Sequence, residues 1–573
     1  MRRPENIIYG TDDKPRLAVL LILALQQMSF LGVYLVISPL FARNLGLNQE
    51  QSLQLISATL LASGFGVVLQ SAKIFGVGSG YFCPLQATSS TFSSLLLAKT
   101  HSGLGAVFGM VAVVGLSQMA FAFLFQRLRG IFTVQVAGLA VLLIGLGLGY
   151  YGLKLILETE VGVSLNQQGL LCMLTLGTMI GFNIWSSGHL RLFSAFLGLL
   201  TGFVASYFMD VISDSEWAVF HNAALFYIPR PMNIGWSIDH KALLPAIMTG
   251  LFLALHGFGA LVAAQRFNDA DWKRPDLQLI KQGILAEGVT NLVNSLLNGL
   301  PLTSSGGAVS LAASTGCTSR YLAYWLAAIM VVIAFMPKAI VFWQILPLSV
   351  MGAALIFLAS FTALSGLQVM GSRLLDNRKI LALGIGLILG ISYEPIMLLF
   401  NDKYPDVLRN LLMSGVSLGV FSAVVLSALF QIKNHTSKQR SFDALHSSLG
   451  DVILFLEQQG MSWGARPEIV RRAEYATWQA FEILTDHGLI DLNDDKSDKI
   501  QLETLFNEYT FTVVLSYRGN LLSLMTHRPT HEEMLNDENA VMQMAGYLLY
   551  RLADKVRTRH DGERCELRLI FND

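Results

Sequence analysis

The chain has 573 residues, of which 53% are hydrophobic and only 14% are charged, and its formal net charge is zero. Soluble proteins carry about 25% charged residues, so the composition excludes an ordinary soluble protein and predicts a polytopic membrane protein. A chain without net charge is not expected to bind nucleic acid. Its cysteines lie far apart without metal-ligand spacing, so we expect no disulfide framework, no metal site and no cofactor; they are Cys83, Cys172, Cys317 and Cys565.

Hydropathy predicts fourteen membrane segments. The first apolar run is too long for the core of a signal peptide and should remain as a transmembrane helix. The third and tenth segments are shorter than the roughly 20 residues that a spanning helix needs, so each should combine half a helix with extended backbone. The expected segments are residues 17–42, 53–72, 82–98, 103–126, 131–150, 167–185, 192–209, 243–264, 282–299, 303–317, 321–337, 341–368, 380–399 and 408–430.

The loop charges predict the orientation. Lysine and arginine are more frequent in the loops that would be cytoplasmic if the N-terminus is inside, as the positive-inside rule requires. An even number of segments returns the C-terminus to the same side, and Lys433, Lys438 and Arg440 follow the last segment directly. We therefore expect a multi-pass protein of the cell inner membrane with both termini cytoplasmic.

The segments divide into seven and seven. The first block covers about residues 17–209 and the second about residues 243–430, and an odd number per block gives the second block the opposite orientation. This arrangement predicts an inverted repeat in which segment 1 matches segment 8 and segment 3 matches segment 10. Interrupted segments in corresponding positions of two halves are a sequence pointer to a transporter's binding site.

Polar residues collect in these four segments. Segment 10 contains a glycine pair after a run of hydroxyl residues, and backbone N–H groups at a half-helix N-terminus favour an anionic or carbonyl-bearing solute. Segment 3 contains a similar hydroxyl run, segment 1 a glutamine pair, and segment 8 an imidazole that is costly in a membrane unless it faces an interior cavity. The expected substrate-binding residues are Gln26, Gln27, Thr88, Ser89, Ser90, His256, Gly306, Gly307 and Ala308.

Each of these signals also has an interpretation in terms of helix packing. Small residues and interhelical amide hydrogen bonds are common in membrane proteins without any ligand. Glu287, which falls in the first turns of segment nine near the cytoplasmic face, is expected to be structural.

Several stretches resemble the nucleobase-ascorbate transporter family, also called the nucleobase–cation symporter-2 family, the permeases of xanthine, uracil and ascorbate. Residues 130–138 are similar to the family's entry into its fifth helix, residues 283–288 and 298–303 to its ninth and tenth helices, and residues 86–92 to its third helix. The likeness covers about residues 15–430. It implies a core and a gate domain, alternating access and a homodimer, and a small-molecule substrate coupled to a proton or a sodium ion.

The chain departs from the family's pattern at its binding positions. The family's first helix usually has Gln-His, where this chain has Gln26-Gln27, and His256 takes the place of the glutamate in the eighth helix. In the tenth helix, Gly307 and Ala308 take the places of a glutamate or glutamine and an asparagine. Both acidic groups are absent by this alignment, so recognition is expected to rest on backbone amides, nearby hydroxyls and His256.

After residue 436 the composition becomes that of a soluble α+β domain. Residues 1–436 are thus expected to form the transporter domain and residues 437–573 a cytoplasmic domain, with helices at residues 441–459, 467–487 and 540–556 and strands at 509–517, 521–525 and 566–571. Residues 482–487 and 566–571 resemble the histidine-kinase-like ATPase domain of the anti-sigma-factor type. Asp486 replaces that domain's magnesium-holding asparagine, and residues 526–530 lack the glycines of its nucleotide loop, so a degenerate regulatory or dimerisation module is expected.

The sequence therefore predicts a secondary active transporter of a purine or pyrimidine nucleobase, or of a similar small planar or anionic solute. Two alternatives remain open: an anion transporter of the sulfate and bicarbonate carrier type, and a non-transporting membrane sensor that signals through the C-terminal domain. An enzyme is not expected, because the chain shows neither a nucleophile–base constellation nor an intact phosphate loop.

Overall fold

The structure is a computed structural model of the chain. It forms two compact units, Met1–Ser372 with Leu381–Ala428, and Arg373–Ile380 with Leu429–Asp573. The described residues are 2–124, 133–158, 163–186, 189–232, 234–270, 272, 275–371, 375, 377–393, 395–396, 415–431, 436–443, 449–463, 465, 467–486, 489–490, 499–506, 510–522, 538–561 and 564–572.

The first unit is helical. Its helices and two short strands are α1 (Leu17–Tyr34), α2 (Ile37–Leu45), α3 (Gln49–Ala72), β1 (Leu85–Ala87), α4 (Phe92–Ser102), α5 (Leu104–Leu124), α6 (Val134–Leu157), α7 (Leu165–Trp185), α8 (His189–Leu192), α9 (Ser194–Phe208), α10 (Asp214–Asn222), α11 (His240–Asn268), α12 (Leu277–Leu296), β2 (Leu302–Ser304), α13 (Gly306–Ser314), α14 (Tyr321–Ala334), α15 (Pro337–Gln344), α16 (Leu348–Met370), and most of α17 (Asn377–Ile391) and of α18 (Gly415–Gln431). The first four residues of α17 and the last three of α18 belong to the second unit.

The membrane class of the chain is confirmed. Within the described residues, seven helical segments are long and apolar enough to cross a membrane, counting α1 with α2 as one, and α14 with α15 makes an eighth that is bent by 83°. The chain is therefore a polytopic helical membrane protein. Fourteen spans and an inverted repeat stay predictions, and the expected start of the last segment, residue 408, lies outside the described residues.

The two short segments meet at the centre of the first unit. Strand β1 pairs antiparallel with β2, with Gln86 opposite Thr303, and each strand leads into a half-length helix, α4 or α13. A proline precedes each strand. The N–H of Thr88 donates to the carbonyl of Pro301 at 3.3 Å, and the N–H of Ser305 donates to the carbonyl of Pro84 at 2.7 Å. The non-helical backbone thus supplies its own partners, as it must away from water.

Helix α12 supports this strand pair through a side chain. The amide oxygen of Asn291 accepts from the N–H of Leu302 at 2.7 Å, and its amide nitrogen donates to the carbonyl of the same residue at 2.9 Å. Asn291 is fully buried and acts as a third strand would.

The helices of the first unit pack in two groups. The core group contains α1, α3, α4, α5 and α11 to α14, and the gate group contains α6, α7, α9 and α16. In the gate group, α6 and α16 approach closely along small residues. A Cβ on Gly152 would lie 2.8 Å from the carbonyl oxygen of Gly352, so this seam depends on glycine.

The second unit contains an antiparallel five-stranded sheet in the order β3-β4-β5-β7-β6 with a buried core of its own. Its elements are β3 (Thr436–Asp443), α19 (Leu449–Trp463), α20 (Pro467–Asp486), β4 (Lys499–Phe506), β5 (Thr510–Tyr517), α21 (Glu538–Leu552), β6 (Lys555–Asp561) and β7 (Arg564–Asn572).

Two predictions for this unit are wrong in detail. Residues 441–443 belong to edge strand β3 rather than to a helix, because they pair with β4. Strand β4 itself was not predicted, although its buried residues Ile500, Leu502 and Thr504 alternate with polar residues. The helix expected to reach residue 556 ends at residue 552, because strand β6 begins at Lys555 and pairs with β7. The return strand expected at 521–525 falls mostly outside the described residues, as do residues 526–530.

Candidate functional site

Two free backbone N–H groups mark the start of half-helix α13. The hydroxyl of Ser305 caps this helix by accepting from the N–H of Ala308 at 3.2 Å, and the carbonyl of Ser305 accepts from the N–H of Val309 at 3.1 Å. Within the described part of the chain, the N–H groups of Gly306 and Gly307 have no acceptor. They stand at the positive end of the helix dipole.

These two glycines line a cavity between the core group and the gate group. Its volume is about 510 Å³, open solvent included. The core side is formed by α1, β1, α11 and α13, and the gate side by α6 and α16. The lining residues are Tyr34, Gln86, Val141, His256, Gly259, Ala260, Ala263, Gly306, Gly307, Phe361, Thr362, Ser365 and Val369.

Tyr34 of α1 lines this cavity, and Phe30 of the same helix packs against Tyr34. The hydroxyl of Tyr34 shares a hydrogen bond of 3.4 Å with the hydroxyl of Thr362 on the gate side. Phe30 lies edge-on to Tyr34 at 5.8 Å between ring centroids, and a Cβ on Gly307 would lie 2.7 Å from Cζ of Phe30. The ring of Phe30 therefore fills the space that a side chain at position 307 would occupy.

Two buried polar side chains of the cavity have atoms without a partner. His256 is 5% exposed, lies beside the backbone of Ser304, and has no hydrogen-bond partner at Nδ1 among the described residues. Gln86 is 8% exposed and has none at Oε1. Buried polar atoms are normally satisfied, so these two are exceptions among the residues that line the cavity.

The structure brings only some of the expected site residues together. His256, Gly306 and Gly307 line the cavity, whereas the other six do not. Gln27 donates from Nε2 to the carbonyl of Ala308 at 3.2 Å and so fastens α1 to α13. Gln26 is buried, and within the described ranges both polar atoms of its side chain lack a partner.

The hydroxyl run before α4 forms a local turn. The hydroxyls of Thr88 and Ser90 lie 2.8 Å apart, and the carbonyl of Ser89 accepts from the N–H of Phe92 at 3.0 Å. These three residues stand at the start of half-helix α4, in the place that corresponds to the start of α13.

The position expected for Glu287 is wrong. Helix α12 begins at Leu277, capped by Asp276, so Glu287 is the eleventh of its 20 residues and is fully buried. Its Oε1 accepts from the N–H of Ser304 at 3.3 Å and from the hydroxyl of Ser304, and its Oε2 accepts from Nε2 of Gln118 at 3.2 Å. No cation pairs with it in the described part of the chain.

The comparison with known sequences decides the family. The sequence model of the xanthine and uracil permease family matches residues 18–396, which is more than half of the chain. The chain belongs to this family.

Characterised relatives agree with this family assignment. The chain is 29% identical over 445 residues to xanthine permease XanP of Escherichia coli, covering 74% of this chain and 95% of the relative. It is 28% identical over 412 residues to xanthine permease XanQ of the same organism, covering 68% and 87%. It is 27% identical over 455 residues to the nucleobase transporter PlUacP of Paenibacillus larvae, covering 76% and 100%.

A solved structure of another transporter is a more distant match. The murine anion transporter Slc26a9 in its inward-facing state aligns with a TM-score of 0.49 and 12% identity, covering 76% of this chain and 72% of that one. This likeness is too distant to favour the anion-carrier alternative.

Ten of the thirteen lining residues were not expected from the sequence, and three of them are Tyr34, Gln86 and Thr362. Tyr34 and Gln86 lie on core elements, and Thr362 lies on the gate helix α16. Gln86 had a usable signal, because it stands two residues before Thr88, the first hydroxyl residue of that run in segment 3. Tyr34 and Thr362 had none, since aromatic and hydroxyl residues are ordinary in membrane helices.

Proposed function

We propose that the chain is a secondary active transporter of purine or pyrimidine nucleobases that works by alternating access. The observation that carries this proposal is the cavity, which both helix groups line and which Gly306 and Gly307, the first two residues of α13, also line. Membership of the permease family and the names of the relatives, two xanthine permeases and a nucleobase transporter, support a base as the solute.

The two helix groups provide the moving parts of the proposed mechanism. The core group carries the half-helices and most polar lining residues, while the gate group contributes Thr362, Ser365 and apolar residues. Relative movement of the groups would open the cavity to one side of the membrane and then the other. Fourteen spans in an inverted repeat, a homodimer, and cytoplasmic termini in a bacterial inner membrane belong to the same proposal.

Glu287 is the proposed site of coupling to a proton or a sodium ion. A buried carboxylate without a counter-charge is expensive, and three donors from Ser304 and Gln118 offset only part of that cost. Ser304 is two residues from Gly306, so a change of charge at Glu287 would be felt at the free N–H groups. Coupling through this carboxyl does not require the acidic residues that the cavity lacks.

Uptake into membrane vesicles tests the proposed function. Labelled xanthine, uracil and urate should accumulate, and accumulation should collapse when the proton gradient is removed or, for sodium coupling, when sodium is replaced. Saturable uptake of sulfate or bicarbonate without uptake of any base would overturn the proposal in favour of an anion carrier. Binding of a base to the purified protein without uptake would favour a sensor.

A further inference from the structure

The five-stranded sheet of the second unit has one face that does not belong to the domain core. Helices α19, α20 and α21 pack against the other face, where Leu567, Leu569 and Phe571 of β7 are fully buried. Successive side chains of a strand point to opposite sides, so the residues that alternate with these three lie on the second face. None of the described residues of that second face is part of the buried core.

Basic side chains are concentrated on this second face at the edge strand β6 and its neighbour β7. Their register places the outward residues of both strands side by side, while Val556 of β6 is buried on the core side. The two strands contain five basic residues and only two acidic ones, Asp561 and Glu566. The five basic residues are all exposed and are called the basic face below; they are Lys555, Arg557, Arg559, Arg564 and Arg568.

The charges of the basic face are not compensated by their neighbours. Arg557 lies directly opposite Arg568, and like charges opposite each other destabilise an antiparallel strand pair. Within the described part of the chain, neither of these two guanidinium groups takes part in an ion pair. Lys555 and Arg559 have none there either, although Glu566 lies opposite Arg559. A surface of this kind attracts an anionic partner.

The chain itself keeps this domain close to a lipid bilayer. The apolar helix α18 ends at Gln431 and β3 begins at Thr436, so only four residues connect them. A connection of this length spans at most about 18 Å. Anionic lipid headgroups therefore lie within reach at all times, and they attract clusters of lysine and arginine. A nucleic acid or an acidic protein would have to arrive from solution.

We propose that the basic face docks the C-terminal domain on anionic phospholipid headgroups at the membrane surface. Each basic residue should favour the docked state about fivefold, and the attraction should weaken in high salt because the charges are screened. The content of anionic lipid would thereby control whether the domain is held at the membrane or is free. This inference goes beyond the proposed transport function and does not depend on the identity of the solute.

The test uses the full-length protein in lipid nanodiscs, with a fluorophore on Ile570→Cys in a background without the four native cysteines. Ile570 is partly exposed and lies opposite Lys555, on the same side of the sheet as the basic face. Nitroxide-labelled lipid headgroups quench the fluorophore only when it approaches the bilayer. Quenching should be strong in discs that contain phosphatidylglycerol, weak in discs of phosphatidylcholine alone, and lost in high salt. Both sides of a nanodisc are equivalent, so the orientation of the chain does not affect the result.

Two double variants of this labelled protein separate the basic face from charge in general. Arg557→Gln with Arg568→Gln removes a like-charge pair, so folding should not suffer, and it should shift the equilibrium about ten- to thirtyfold toward the free domain. The control is Arg471→Gln with Arg551→Gln, which removes two exposed basic residues from α20 and α21 on the other side of the sheet. The control should be quenched as strongly as the labelled parent.

Equal quenching in neutral and anionic discs would overturn the inference. An equal loss of quenching in both double variants would overturn it too, because net charge and not the basic face would then be responsible. Shielding of the fluorophore that follows protein concentration instead of lipid charge would assign the face to a second copy of the chain. Shielding by added RNA without any response to anionic lipid would assign it to nucleic acid. If the arginine variants do not fold, the lipid dependence of the labelled parent decides.

Discussion

Glu287 and Ser304 are joined by two hydrogen bonds, since one carboxylate oxygen of Glu287 accepts from both the backbone N–H and the hydroxyl of Ser304. Ser304 is the last residue of β2, and α13 begins two residues later. The middle of α12 is thereby linked to the strand that sets the position of the free N–H groups. The geometry of the cavity should therefore depend on a residue that does not line it.

Glu287→Ala should destabilise the protein, because it leaves the amide of Gln118 and the N–H and hydroxyl of Ser304 without an acceptor. Each buried unsatisfied group costs about 1–3 kcal/mol, so a loss of about 3 kcal/mol or more is expected in thermal unfolding of the purified protein. Glu287→Gln preserves the shape and one acceptor, and should keep more of the stability while losing uptake driven by the proton gradient.

The control for this experiment is Glu50→Gln, which removes a carboxylate exposed at the start of α3. It should leave both stability and uptake unchanged. Normal gradient-driven uptake by Glu287→Gln would rule out this carboxyl as the coupling site, whatever its effect on unfolding.

Gly307→Ala should weaken ligand binding although it adds a single methyl group. Its Cβ would lie 2.7 Å from Cζ of Phe30, so the ring must shift against Tyr34, which lines the cavity. Overpacking costs about 1–3 kcal/mol, and part of it should appear as an affinity loss of about tenfold in calorimetry. Phe30→Leu combined with Gly307→Ala should recover part of that loss, and an unrecovered double variant would show that Phe30 is not the obstacle.

Sequence patterns predicted the interrupted segments well because their physical cause is local. Pro84 and Pro301 stop helix formation, and the short runs that follow must leave the helix before it can restart. The sequence did not predict that Tyr34 meets Thr362, because that contact joins helices more than 300 residues apart and depends on how the two helix groups pack. Glu287 was misplaced for a related reason, since the true start of α12 is set by Asp276, beyond the apolar run.

Tyr151 should hold one end of the cavity closed. Its hydroxyl accepts from Nδ2 of Asn44 at 3.2 Å, and its ring meets Phe92, the first residue of α4, edge-on at 6.1 Å. Val141 lines the cavity ten residues earlier on α6, about 15 Å away by helix rise, so the contact lies beyond the cavity and joins gate to core.

Tyr151→Phe removes only the hydrogen bond, and Tyr151→Ala removes the ring as well. Loss of the bond should shift the conformational equilibrium about two- to tenfold, and loss of the ring more. The measurement is the rate at which a membrane-impermeant maleimide labels Ser365→Cys in a background without the four native cysteines. Faster labelling from the side of Asn44 is expected, and unchanged rates in both variants would show that this contact does not hold the cavity closed.

The second unit contains a like-charge pair that should make its stability depend on pH. Partial burial raises the pKa of the Glu474 carboxyl above its ordinary value, the charge of Glu457 raises it further, and Arg471 opposes both. A carboxyl whose pKa is higher in the folded than in the unfolded state carries no penalty at acidic pH, where both states are protonated. The penalty appears as the pH rises through the folded pKa.

Glu457→Gln should therefore stabilise this unit at neutral pH and have no effect at acidic pH. The gain is expected to be about 0.5 kcal/mol because the pair is largely solvated, and it should shrink in high salt. Hydrogen exchange of the amides of α20 in the full-length protein measures the gain, with Glu482→Gln on the same helix as a control for loss of one exposed charge. A gain that is the same at acidic and neutral pH would contradict the charge explanation, because only the ionised form of Glu474 is repelled by Glu457.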